Sequence, residues 1–226
     1  WALPMRVLGP VLRIGLPGAA LELIYRLAFM VSLAATAGLG VAALATHSYT
    51  LQILKYVLLI SMAIGWACEI MVGRLVGARR FRQADDLVRK GVRNGMLASG
   101  ACVLIAALAA PGIVRGFTQD PAIVQAAQTL LWMSVALELG RVFNLIVIGA
   151  LRASGDVHFP VLASAASIVF ILGLGSWLLG RWWGLNGIWL AYVLDECLRG
   201  YLMWWRWQHR GWLPKARATV RAFKNP

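Results

Sequence analysis

Nine ionisable side chains interrupt stretches that are otherwise apolar: Glu22, Arg26, Lys55, Glu69, Glu138, Arg141, Asp195, Glu196 and Arg199. Five are acids and four are bases. Their spacing is helical. Glu22 and Arg26, and Asp195 and Arg199, lie four apart, while Glu138, Arg141 and Asn144 follow one another at intervals of three. Residues three or four apart share a helix face, so each pair can close as a structural ion pair. The same groups can also do chemistry. A carboxylate inside a membrane binds a proton or a metal cation, and a neighbouring base sets how tightly. An acid paired with arginine in one conformation and freed in another would couple ion binding to movement.

The elements that carry these groups are apolar enough to be membrane spans. The chain of 226 residues is 60% hydrophobic and 14% charged, with mean hydropathy +0.71. Soluble domains carry nearer a quarter charged residues. About 20 apolar helical residues cross a bilayer's hydrocarbon core. The sequence predicts six such spans at 14–36, 43–72, 96–114, 129–151, 161–179 and 187–205, followed by a basic cytoplasmic tail at 206–226. The fold class expected is all-α, an integral membrane bundle of six transmembrane helices. In the sixth span Tyr192, Asp195, Glu196 and Arg199 form one stripe, and in the first Gly18, Glu22, Tyr25, Arg26 and Phe29 form another. Charge at that depth needs a partner or a polar interior. The first, second, fourth and sixth spans are therefore expected to line an interior. The uncharged third and fifth are expected to face lipid more.

Between the spans, Gly38 and Gly40 mark a turn, and Asp120-Pro121 reads as an N-cap followed by proline at the first helical position. The segment between the second and third spans is the most basic and reads as an amphipathic connector. Outside the spans, sixteen Lys and Arg residues fall on one side and two on the other. The positive-inside rule then puts both termini in the cytoplasm. The net charge of +13 is explained by this asymmetry and by lipid headgroups, so no nucleic-acid partner is expected. Cys68, Cys102 and Cys197 share no metal spacing, and His47, His158 and His209 are far apart. No metal site is expected, and no nucleophile stands with a base at a spacing usable for an enzyme.

Five segments carry a family resemblance: IGLPGAALE, GVAALATHSYTLQI, VGRLVGARRFRQADDLVRKG, LELGRVFNLIVIGALRASGDVHFP and GLNGIWLAYVLDECLRGYLMWWRW. In this order and at these distances the chain resembles one lobe of the multidrug and toxic compound extrusion (MATE) antiporters, over nearly its whole length. The final segment with its basic tail resembles the end of the carboxy-terminal lobe, so the expected partners are a missing first lobe or a second copy, together with the lipid bilayer. The resemblance implies a two-lobed transporter of the bacterial inner (plasma) membrane that exports small organic compounds by alternating access. It would be driven by sodium or a proton as coupling ion, with no other cofactor. In the family, acids on the first and fourth helices of this lobe take part in cation binding. The matching regions here offer Glu22 and Tyr25, and Glu138 and Arg141, with the family's acids falling nearest Tyr25 and Arg141. The candidate substrate- or ion-binding residues are thus Glu22, Tyr25, Arg26, Glu138, Arg141, Asn144, Asp195, Glu196 and Arg199. A lipid-linked oligosaccharide flippase of the same superfamily is the alternative, as is a lobe that transports nothing until paired.

Overall fold

A computed structural model describes residues 5–222, with side chains placed from residue 16 to residue 221. Within them the chain is helical from end to end, with no strand. The helices are α1 (Met5–Ala37), α2 (Val41–Gly77), α3 (Phe81–Leu108), the short α4 (Ala110–Arg115), α5 (Pro121–Ala153), α6 (His158–Ser167), α7 (Gly175–Gln208) and α8 (Leu213–Ala222). A π-helical segment, Ile168–Leu174, joins α6 to α7 without a break.

Five continuous helical stretches are long and apolar enough to cross a membrane, and the last runs from His158 to Gln208. That stretch is two crossings. At Trp183 and Gly184 the backbone leaves the helix, and Gly184 sits at φ 58°, ψ −141°, a conformation that glycine tolerates and other residues resist. Beyond it the chain doubles back. Gly187 approaches Leu179, Gly180 approaches Ile188 and Gly175 approaches Ala191, the order of an antiparallel hairpin. The chain is therefore an integral membrane bundle of six crossings.

The helix ends depart from the expected bounds in instructive ways. The basic segment at 73–95 is no separate connector. α2 runs on to Gly77, the turn passes through Arg79 at φ 59°, and α3 starts at once at Phe81. The expected third span, 96–114, is interrupted at Ala109, where α3 stops and α4 begins with Pro111 in its first turn. The expected tail at 206–226 is partly helix. α7 continues to Gln208, and α8 folds back so that Trp212 and Ala216 are buried and Trp212 stacks on Trp207 at 4.3 Å. Asp120 caps α5 as its type predicts, accepting from the Ala122 amide at 2.9 Å.

α5 is the central post. Its most apolar window is 67% buried, against 11% for α1. α2, α3 and α7 all pack along it. Small residues set the closest approach. A Cβ on Gly140 would lie 2.8 Å from the Cys197 backbone nitrogen, and one on Gly200 would lie 2.7 Å from the Gly140 carbonyl oxygen. Close backbone approach through small residues is how membrane helices gain packing where lipid offers no hydrophobic drive. α1 stands at the edge. An apolar crevice of about 420 Å³, lined among others by Leu27, Val31, Leu174 and Trp177, opens where it packs on the π segment.

Candidate functional site

Two apolar clusters fill the bundle, one around Leu130, Leu131, Ile168 and Trp189, the other around Val72, Val92, Ile146 and Met203. Between Leu137 of the first and Val142 of the second, α5 presents Glu138 and Arg141; between Tyr192 and Met203, α7 presents Asp195, Glu196 and Arg199. The site is thus a polar layer held between two apolar ones. Gly140 and Gly200 bring the two helices close enough for their short and long side chains to meet.

The layer is a continuous chain of contacts. Ser167 donates to Asp195 Oδ1 at 2.7 Å, and Arg199 Nη2 donates to Asp195 Oδ2 at 2.6 Å. The same Nη2 lies 3.0 Å from Glu196 Oε1, which Arg141 Nε also approaches at 3.4 Å. Asn144 donates to Glu196 Oε2 at 3.0 Å. Arg141 Nη1 donates to Glu138 Oε2 at 2.8 Å, and Ser61 donates to Glu138 Oε1 at 3.2 Å. Ser61 in turn shares a hydrogen bond of 2.9 Å with Ser99. Every carboxylate oxygen of Glu138, Asp195 and Glu196 therefore has a donor. Groups so deeply buried demand this, since an unpaired buried charge is costly. Asn144 Oδ1 and Arg199 Nε are buried without a partner among the described residues.

Three acids against two bases leave the layer one negative charge in excess when all are ionised. One added proton or monovalent cation makes it neutral. That is the chemistry the arrangement supports.

Of the residues singled out from the sequence, the structure brings together Glu138, Arg141, Asn144, Asp195, Glu196 and Arg199. Tyr25, half-buried on α1, packs against the apolar cluster around Leu130 and Trp189. Glu22 and Arg26 stand apart. They pair with each other at 2.8 Å on the exposed face of α1, with side chains 60% and 71% exposed. Glu69 meets Arg152 at 3.1 Å near the basic end of the bundle, and Lys55 is exposed. The third and fifth spans, expected to face lipid more, each also reach the layer: α3 contributes Ser99, and α6 contributes Ser167. The first span, expected to line the interior, is the peripheral one. Ser61, Ser99 and Ser167 could not be singled out from the sequence, because a neutral hydroxyl in an apolar helix leaves no charge signal.

A family model, MatE, matches residues 17–177. The chain belongs to the MatE family. Among curated MatE relatives, an uncharacterized transporter of Bacillus subtilis, YisQ, is 35% identical over 213 residues, covering 92% of this chain and 46% of its own length. The multidrug resistance protein NorM of Vibrio cholerae is 25% identical over 218 residues, covering 92% of this chain and 47% of its own. This MatE chain thus spans somewhat under half the length of these relatives. Two solved structures share the fold: a MOP superfamily transporter from Pyrococcus furiosus, with TM-score 0.75 at 18% identity, and a MATE in the bent conformation, with TM-score 0.71 at 20% identity. Each covers 87% of this chain with 44% of its own length. The expected membership of a membrane transporter family and the expected helical membrane lobe both stand.

Proposed function

We propose that this chain is half of a cation-coupled antiporter that exports small organic compounds by alternating access. The observation that carries the reading is the excess of one acid in the buried layer across α2, α5, α6 and α7. A sodium ion or a proton entering it neutralises the layer and changes which carboxylate the arginines hold. The same excess disfavours the flippase alternative, because a substrate bearing pyrophosphate needs a basic interior. A lobe of six crossings cannot enclose a central cavity alone, so transport requires a second lobe or a second copy. The sixteen Lys and Arg residues on one side support cytoplasmic termini in a bacterial plasma membrane.

The test is dye efflux from proteoliposomes holding the full-length protein, with a proton or sodium gradient imposed. Expected is export of a cationic dye that collapses with the gradient. Asp195→Asn and Glu138→Gln should abolish it while reaching the membrane at parental levels. If both variants export normally, the layer is structural and the coupling reading fails.

A further inference from the structure

A second buried polar contact lies away from the layer, toward the charge-poor end of the bundle. His47 sits in the second turn of α2, seven residues beyond the turn glycine Gly40, and is fully buried. Trp189 sits on α7, five residues beyond the reversal at Gly184, and is 1% exposed. The indole Nε1–H donates to His47 Nδ1 at 3.1 Å. Each of α2 and α7 packs chiefly on α5, and where they face each other their side chains meet in one apolar cluster with His47, Trp189 and Tyr192 at its edge. Among the described residues this is the one hydrogen bond that joins α2 to α7.

Its chemistry is one-sided. An indole nitrogen can only donate, so Nδ1 must be the bare nitrogen of the imidazole, and the ring proton sits on Nε2. His47 Nε2 is buried with no partner among the described residues, and the Tyr192 ring lies 6.1 Å from the imidazole. A second proton would have to go on Nδ1. Two N–H groups would then point at each other, and the Trp189 bond could not survive. A protonated imidazole would also be a charge in an apolar pocket, which favours a state in which the pocket opens. The groups facing His47 supply no compensation. Tyr192 of α7 is the titratable one, and no charged side chain of α1, α5 or α7 reaches the ring among the described residues.

We propose that His47 and Trp189 form a proton-operated latch: a proton arriving at His47 Nδ1 breaks the bond and frees the outer end of α7 from α2. The ligand is a proton, bound at a site separate from the carboxylate layer. The released helix is the one that carries Asp195, Glu196 and Arg199, with Tyr192 between. Opening at its outer end thus reaches the layer along a single stripe.

The latch can be tested on geometry alone, independently of transport. Spin labels at Val41 and Asn186, both exposed near the latch, report the α2–α7 separation in the full-length, otherwise cysteine-free protein in nanodiscs. Between about pH 8 and about pH 4, where a histidine changes charge, the distance should lengthen by several ångström. His47→Asn keeps an acceptor facing Trp189 but cannot take the proton, and should stay short throughout. Trp189→Phe removes the donor and should be long at both pH values. A parent that does not respond, a His47→Asn that lengthens like the parent, or a Trp189→Phe that stays short overturns the latch. Nitrogen-15 spectra of histidine in the parent give a check that needs no variant to fold. Nε2–H at about pH 8 with imidazolium on acidification is expected; a proton on Nδ1 at about pH 8 would sink the proposal.

Discussion

Two ion pairs in this chain are built alike and placed differently. Glu22–Arg26 and Asp195–Arg199 have the same spacing of four and close at 2.8 Å and 2.6 Å. The first pair is 60% and 71% exposed; the second is 1% and 8% exposed. Helical spacing makes both pairs and distinguishes neither. What differs is the neighbouring helix. α7 lies against α5 through Gly140 and Gly200, so its pair is enlisted into a layer with Glu138, Arg141 and Asn144. α1 has no such neighbour on that face, and its pair remains a pair.

The largest break in this comparison is expected from Arg199→Met. It removes the donor shared by Asp195 and Glu196 and leaves buried carboxylates short of charge, which costs about 3–5 kcal/mol. Reversible unfolding in mixed micelles should show that loss. Retained stability would mean that the carboxylates find other partners. Next comes Gly140→Val, which pushes α5 from the α7 backbone and should cost about 1–3 kcal/mol; the same change at the exposed Gly18, where nothing lies within 4 Å, should show no comparable packing loss in the same assay. Ser61→Ala removes one hydrogen bond to Glu138 and is expected to cost about 1 kcal/mol. If transport is cation-coupled, its cation dependence should also shift, read as a changed half-saturating concentration. The smallest effect belongs to Glu22→Gln with Arg26→Gln. An exposed pair of this kind contributes less than about 0.5 kcal/mol, so the unfolding midpoint should stay within error. A large shift would mean that the pair has a partner outside this lobe.

The charged members of the layer were legible because a chain so poor in charge makes each acid and base conspicuous, and a spacing of three or four places Glu138 with Arg141 and Asp195 with Arg199. The join between the two helices was not legible. Glycine at 140 and 200 reads as one small residue among many until the facing backbone is known. The serines that complete the layer carry no charge, and they sit on α2, α3 and α6, so only tertiary packing selects Ser61, Ser99 and Ser167. His47 was conspicuous as a histidine but lacked a partner in sequence, because Trp189 lies far along the chain. The helix ends were least legible at the turns. Ala78–Arg80 reverses the chain through an arginine at positive φ, and α3 starts well before its apolar stretch.

The reversal at Trp183–Gly184 leaves almost no loop between the last two crossings. The final segment is therefore tied closely to the one before it. On its own it would expose Asp195, Glu196 and Arg199 to lipid. Paired with the preceding crossing it gains only Ser167 for Asp195, and Glu196 still waits for Arg141 and Asn144 on α5. Release of the hairpin as a pair, onto an α5 already in place, would let each charge meet its partner as it enters the membrane. The buried charges of this lobe thus favour one order in which its helices are released into the membrane.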